Sequence, residues 1–124
     1  MTSSNLAEVA RRTIQMEAEA VTLLQERIGN EFTLACELIL QCSGRVVVTG
    51  MGKSGHIGRK IAATLASTGT PSFFVHPGEA SHGDIGMITE ADIVLALSNS
   101  GTTAEVITLL PLIKRMGIPL ISMT

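Results

Sequence analysis

The spacing of apolar residues divides the chain into an N-terminal helical segment and a longer α/β segment. Up to residue 28, apolar side chains recur every three or four residues, as they do on one face of an α-helix. They are Leu6, Val9, Ala10, Ile14, Val21, Leu24 and Ile28. This pattern predicts a helix from about residue 5 to residue 28, ended by Gly29 and Asn30. A second helix is predicted over 31–41, so that residues 1–43 form the helical segment. The apolar stripe of the first helix needs a surface to pack on, which another subunit or the rest of the same chain would provide.

From residue 44 onward, short apolar runs alternate with helical periodicity. The runs predict four strands, at 45–49, 72–75, 93–97 and 118–124. Helices are predicted over 54–67 and 103–116, with a short helical turn over 79–82. The helix over 54–67 is expected to bury Ile57, Ile61, Ala62 and Leu65. Strands that alternate with helices predict an α/β fold with a parallel sheet between two helix layers, a three-layer α/β/α sandwich.

A glycine-rich stretch follows the first predicted strand and opens a helix. It reads Gly50-Met51-Gly52-Lys53-Ser54-Gly55. Glycines let the backbone approach a ligand closely, and the free N–H groups at a helix start attract anions. Lys53 adds a positive charge and Ser54 a hydroxyl group, which favours a phosphate-bearing ligand. The alternative is a structural strand-to-helix turn with a solvated lysine.

Two nucleotide-binding motifs match this stretch in part, but each also requires a residue that this chain lacks at the expected position. The pattern G-x-G-x-x-G of dinucleotide-binding folds requires an acidic residue about 20 positions later, at the tip of the second strand. That strand ends in His76-Pro77. A Walker A loop requires a glycine five positions before the Gly-Lys pair, where this chain has Val47. We therefore expect no nicotinamide or other cofactor.

A second candidate loop follows the third predicted strand and is rich in hydroxyl groups. It contains Ser98, Asn99, Ser100, Thr102 and Thr103. Because ligands bind beyond the carboxyl ends of parallel strands, this loop should meet the glycine-rich loop at one edge of the sheet. Neutral donors at a helix start suit the oxygens of a phosphate monoester. Helix capping explains one such residue, but four hydroxyls and an amide exceed what capping needs.

Two further side chains are candidates for proton transfer. Glu105 stands three residues after Thr102, which is the spacing of a capping box, and this structural role weighs equally with that of a catalytic base. His82 lies in a polar loop after the second strand, where it would carry a proton or simply bond a backbone carbonyl.

The composition narrows the functional classes. The chain has 124 residues, enough for one domain, and a net charge of −2, which argues against a nucleic-acid surface. Its longest aliphatic run is too short to span a bilayer. The three histidines show no metal-ligand spacing with each other or with the cysteines, so no metal is expected. Cys36 and Cys42 are interpreted as buried free thiols of a cytoplasmic protein.

Three stretches resemble the sugar isomerase (SIS) domain family, in its arabinose-5-phosphate isomerase branch. They are residues 50–60, residues 71–84 and Ser98-Asn99-Ser100-Gly101. The first two are specific to this branch, whereas the third is general to the sugar-phosphate domain. The likeness runs from about residue 8 to residue 124. It implies a flavodoxin-like SIS domain over 44–124, with a five-stranded parallel sheet, in a homotetramer.

The resemblance also implies an activity and a set of site residues. The activity is interconversion of D-ribulose 5-phosphate and D-arabinose 5-phosphate, which feeds synthesis of the octulosonate sugar of lipopolysaccharide. By resemblance, Lys53, His82 and Glu105 match catalytic positions. The positions that match phosphate and sugar contacts are Gly52, Ser54, Ser98, Asn99, Ser100 and Thr103.

The chain departs from the family pattern after the fourth strand. Family members continue into a fifth strand, further helices and additional active-site residues, so the SIS domain is expected to be partial and the 124 residues inactive alone. The competing hypothesis is a SIS module that binds a sugar phosphate without catalysis. A purely structural oligomerisation domain is the third class, and it would leave the loop residues unexplained.

Overall fold

A computed structural model describes residues 3–124 of the protein. Residues 1 and 2, the first of the predicted segment 1–43, lie outside the described residues. The chain divides into two compact units, one that ends at Leu34 and one from Ala35 to Thr124. The predicted domain boundary at residues 43 and 44 stays a prediction. No helix of the described part is long and apolar enough to cross a membrane.

The first unit consists of helices. Helix α1 spans Ser3–Leu23, a 3-10 helix spans Leu24–Arg27, and helix α2, Asn30–Gln41, begins here and ends in the second unit. The prediction of one α-helix to residue 28 was therefore wrong in its last turn. The chain tightens there into i to i+3 hydrogen bonding, which is common at helix ends. The apolar residues of α1 are exposed, with Ile14 at 69% and Val21 at 65%.

The second unit is built on a four-stranded parallel sheet with the strand order β2-β1-β3-β4. The strands are β1 (Val46–Gly50), β2 (Ser72–Val75), β3 (Ile93–Leu97) and β4 (Leu120–Met123). The connecting helices are α3 (Gly52–Ser67), α4 (Pro77–Ser81), a 3-10 helix (Asp84–Met87) and α5 (Ala104–Arg115). The predicted bounds of β2 and β3 are confirmed, as is the parallel arrangement. The 3-10 helix was not predicted.

Side chains of the central strands alternate between two hydrophobic clusters, one on each face of the sheet. Val47 and Val94 pack with α4 and α5, through residues such as Leu109. Val46 and Val48 pack on the other face with α3, around Ala62. The predicted three-layer α/β/α class is confirmed. A sheet covered on both faces explains why all five residues of β1 and of β3 are buried.

Asp92 ties together the loops at the amino-terminal edge of this sheet. Its side chain is 2% exposed, and its two carboxylate oxygens accept hydrogen bonds from the backbone N–H groups of Arg45 (2.7 Å) and Thr89 (2.8 Å). The Arg45 guanidinium lies 3.6 Å from the same carboxylate. Burial raises the pKa of Asp92, but the two backbone hydrogen bonds and the Arg45 charge together hold that pKa below its ordinary value.

Two expectations about burial need correction. Ile57 was expected to be buried by α3, but it is 58% exposed. It lies one turn after Lys53 and Ser54, on the helix face that turns toward the candidate site rather than the sheet. Cys36 and Cys42 are free thiols as expected, but both are only half-buried.

Candidate functional site

Two loops leave the carboxyl ends of the neighbouring central strands and bring the candidate residues to one edge of the sheet. β1 and β3 pair in parallel with Gly50 opposite Leu97. The residues that follow are Met51 and Gly52 after β1, and Ser98 and Asn99 after β3. Each loop then enters a helix of 12 or more residues, α3 after β1 and α5 after β3. This edge is where parallel α/β sheets bind ligands.

The tight turn of the glycine-rich loop depends on its glycines, because other residues would not fit its backbone conformation. Gly52 has φ of +55°, a conformation that side chains disfavour. A Cβ atom on Gly55 would lie 2.6 Å from the Gly50 carbonyl oxygen, closer than two such atoms can approach. The N-cap residue of α3 is Met51, whose side chain makes no capping hydrogen bond. The N–H groups of the first turn are therefore left to water or a ligand.

Hydrogen bonds within the hydroxyl-rich loop fix its shape. The Ser98 hydroxyl accepts from the Gly101 N–H (3.0 Å) and pairs with the Thr103 hydroxyl at 2.8 Å. The Ser100 hydroxyl oxygen accepts from both the N–H and the hydroxyl of Thr102, each at 3.1 Å. Ser98 is buried, Thr103 is half-buried, and Ser100 is exposed. The loop is held by its own hydroxyls and still presents Ser100 to solvent.

An open cavity of about 310 Å³ brings four of the predicted residues together. Lys53 and Ser54 line it from the start of α3, and Ser98 and Asn99 line it from the loop after β3. Ile57, Leu97, Met123 and Thr124 complete the wall. These last four residues were not predicted from the sequence as site residues. The helical spacing from Lys53 to Ile57 was a signal for one of them.

Other predicted site residues lie outside this cavity. His82 lines a separate cavity of about 540 Å³, together with His76, Gly78, Glu79 and Asp84. Gly52 lines a smaller one of about 150 Å³ beside His56 and Arg59. Glu105 lies exposed in the first turn of α5 and lines none of these cavities.

The capping box predicted for Thr102 and Glu105 is not formed. The N-cap of α5 is Thr103, and its hydroxyl bonds to Ser98 instead of the helix. Thr102 is engaged with Ser100. The capping explanation of Glu105, which weighed equally with a catalytic role, is therefore wrong.

Metal binding has no support among the residues that the structure describes. In residues 3–124 there is no group of three or more His, Cys, Asp or Glu side chains placed to hold a metal ion. The chemistry available at the cavity is the Lys53 amine, the polar side chains of Ser54, Ser98, Asn99 and Thr124, and the N-terminus of α3. These groups bind and stabilise anions.

Comparison with known proteins gives the family of this chain. Residues 39–124 match the SIS domain family, which is more than half of the sequence. The chain belongs to the SIS domain family.

Two curated relatives and one solved structure are closely similar to this SIS chain. Arabinose 5-phosphate isomerase KdsD of Pseudomonas aeruginosa is 74% identical over 115 residues, which are 93% of this chain and 35% of that protein. The KdsD protein of Yersinia pestis is 60% identical over 117 residues, 94% of this chain and 36% of that protein. A protein of Escherichia coli CFT073, solved in complex with arabinose 5-phosphate, superposes with a TM-score of 0.93 at 47% identity. That match covers 98% of this chain and 65% of the solved chain. The SIS chain thus spans about a third of the length of the curated relatives that it matches.

Proposed function

We propose that this SIS chain carries the sugar-phosphate site of an isomerase that interconverts D-ribulose 5-phosphate and D-arabinose 5-phosphate. The observation that carries the proposal is the cavity that joins Lys53 and Ser54 to Ser98 and Asn99. Relatives with 74% and 60% identity are arabinose 5-phosphate isomerases, and a structural neighbour was solved with arabinose 5-phosphate bound. These similarities support both the reaction class and the substrate.

The phosphate group is assigned to the loop after β3. A phosphate monoester carries negative charge and several acceptor oxygens, which match hydroxyl and backbone N–H donors at a helix N-terminus. Ser98, Ser100 and Thr103 lie directly before α5, whose N-cap side chain leaves the first-turn N–H groups uncapped. Ser54 and Asn99, which line one cavity with Ser98, are assigned to sugar hydroxyls. The backbone of Gly52, which lines a separate smaller cavity, is assigned to the wall of the β1 loop.

The reaction needs a base and a group that stabilises negative charge. In the direction from the ketose, a base removes a proton from C1, and the electron pair forms an enediolate between C1 and C2. Return of the proton to C2, with transfer of the hydroxyl proton from O1 to O2, then gives the aldose. Lys53 at the cavity wall is assigned to stabilise the developing oxyanion. Glu105, in the first turn of α5, and His82, which lines a separate cavity, are assigned to proton transfer.

The cellular role and the assembly follow as further parts of the proposal. The product would supply synthesis of the octulosonate sugar of lipopolysaccharide, and we place the reaction in the cytoplasm. We also propose a homo-oligomer, a tetramer in the complete protein. Exposed apolar residues on α1, among them Leu6, Ile14 and Val21, support association through this helix.

A turnover assay tests the proposal against a SIS module that only binds. A full-length protein that contains this sequence is mixed with D-ribulose 5-phosphate, and D-arabinose 5-phosphate is quantified by NMR. We expect product, and we expect Lys53→Ala to lower turnover by about 10²-fold or more because an oxyanion-stabilising charge is lost. Lys60→Ala, an exposed lysine on the same helix, is the matched control and should retain turnover.

Two results would contradict the proposal. Saturable binding of ribulose 5-phosphate without any product would favour the non-catalytic module. Near-normal turnover of Lys53→Ala would return Lys53 to the role of a solvated surface lysine.

A further inference from the structure

The short helix α4 carries Glu79 and directly precedes His82, yet it has only five residues. A helix of this length is not stable by itself, because helix formation has a costly nucleus. Its position must therefore be held by neighbouring groups. Its own residues Pro77 and Ala80 are buried, and Ala80 belongs to the hydrophobic cluster that includes Val47 of β1 and Val94 of β3.

The amino-terminal end of α4 is capped by a histidine. The Nδ1 atom of His76 accepts a hydrogen bond from the Gly78 N–H at 3.1 Å, and the His76 carbonyl oxygen accepts from the Ala80 N–H at 2.9 Å. The ring also packs against Gly78, because a Cβ atom there would lie 3.2 Å from its Cε1 and Nδ1 atoms. His76 is half-buried and lines the same cavity as His82.

We propose that His76 is a positioning residue for the isomerase site. Its imidazole, with Nδ1 unprotonated, caps α4 and thereby fixes the course of the chain into His82 and the cavity that His82 lines. This inference rests on the proposed function, since it gives His82 a task that depends on its position. His76 itself is not assigned a contact with substrate.

The cap requires one protonation state of His76. A proton on Nδ1 removes the lone pair that accepts from Gly78, so the cap is lost when the ring becomes positively charged. His76 lines two cavities, and charged and titratable groups line each of them. Glu79, His82 and Asp84 share one cavity with it, and His56 and Arg59 share the other.

Substitutions separate capping from other roles of the ring. In a full-length protein that contains this sequence, His76→Ala should lower kcat about fivefold to tenfold, the size of effect expected when one N-cap bond is lost. KM should change little, because Ser98 and Asn99 of the hydroxyl-rich loop line a different cavity. His76→Asn should recover most of kcat, because the asparagine oxygen is a common N-cap acceptor. Lys60→Ala, at an exposed residue of α3 that lines neither cavity, is the control and should leave kcat unchanged.

The pH dependence of kcat/KM distinguishes capping from packing, because a side chain that only packs would not make kcat/KM depend on its protonation. The asparagine cap accepts its hydrogen bond at every pH, whereas the histidine cap is lost on protonation. The ratio of kcat/KM for His76→Asn to that of the wild type should therefore rise as the pH falls. The use of a ratio removes the contribution of His82, which both proteins share.

Hydrogen exchange tests the cap without any activity. Exchange at the Gly78 amide should be faster in His76→Ala than in the wild type and should be slowed again in His76→Asn. If the wild type shows no isomerase turnover, the proposed function fails, but Gly78 exchange still decides whether His76 caps α4. Unchanged Gly78 exchange in His76→Ala, equal loss of kcat in the Ala and Asn variants, or a flat pH ratio would overturn the inference. If His76→Ala does not fold, Gly78→Ala, whose Cβ atom would crowd the ring, should also speed exchange at the amide of residue 78, which is the N–H that the ring accepts from.

Discussion

The hydroxyl group of Ser100 is oriented by hydrogen bonds from a neighbouring residue. Its hydroxyl oxygen accepts two hydrogen bonds from Thr102, so its own hydrogen remains to be donated to a ligand. The Ser98 hydroxyl, in contrast, is buried and already paired with Thr103. Among the loop hydroxyls of the described chain, Ser100 is therefore best placed for a direct bond to phosphate.

Removal of the Ser100 hydroxyl should weaken binding of phosphorylated sugars. Ser100→Ala is expected to cost about 1–3 kcal/mol of binding free energy, because a charged acceptor loses its donor. Isothermal titration with arabinose 5-phosphate measures the change. Thr102→Val is the matched control, since it removes one loop hydrogen bond but keeps the Ser100 hydroxyl. Equal affinity of Ser100→Ala and the wild type for the phosphorylated sugar would exclude this assignment.

The sequence predicts which loop residues lie close together better than it predicts what those residues bond to. Lys53, Ser54, Ser98 and Asn99 were found because they follow apolar strands and open helices, and these strands are adjacent in a parallel sheet. The Thr102 capping box was wrong, because the loop backbone moves the N-cap one residue later. Hydrogen bonds between loop hydroxyls depend on that backbone and are not encoded by residue spacing.

At the scale of elements, the bounds of two strands were predicted correctly, whereas β1 and β4, predicted over 45–49 and 118–124, span Val46–Gly50 and Leu120–Met123. The bounds of β2 and β3 are confirmed because each is an apolar run flanked by polar residues, glycine or proline. The end of α1 was missed, since its apolar spacing continues through Leu24 and Ile28 while the backbone changes to a 3-10 helix. Ile57 followed the apolar spacing of α3, but the pattern alone does not distinguish a core from an open cavity.

Asp92 connects the loops that support β1 and β3, so its loss should destabilise the α/β unit. Asp92→Asn places an amide N–H₂ group against one of the two backbone N–H groups that the carboxylate accepts from. We expect the free energy of unfolding to fall by about 1–3 kcal/mol, measured by urea denaturation. Glu90→Gln, an exposed acid two residues away, is the control and should change stability little. The Arg45 ion pair contributes less, because the arginine side chain is 42% exposed and screened by solvent.

The same carboxylate makes stability depend on pH in one direction. The pKa of Asp92 is lower in the folded protein than its ordinary value of 3.8. Its stabilising contribution is therefore present above pH 3.8 and is lost as the pH falls through the lowered folded value. The stability difference between wild type and Asp92→Asn should shrink over that acidic range. A difference that stays constant would mean that the carboxylate charge is not what the loops require.

For the molecule as a whole, the two central strands organise the candidate site, and both loops belong to the α/β unit. β1 leads into α3, which carries Lys53, and the adjacent strand β3 leads into the hydroxyl-rich loop. The apolar side chains of α1 are exposed, and in the proposed assembly they would be covered by another subunit.

In the proposed function, one sugar phosphate bridges the loops after β1 and β3. A crystal structure of a full-length protein that contains this sequence, bound to arabinose 5-phosphate, would show whether it does. We predict phosphate oxygens within about 3 Å of the Ser100 hydroxyl and of N–H groups at the start of α5, with C1 and C2 facing Lys53. Phosphate bound beside His56 and Arg59, with the loop after β3 unoccupied, would contradict the account.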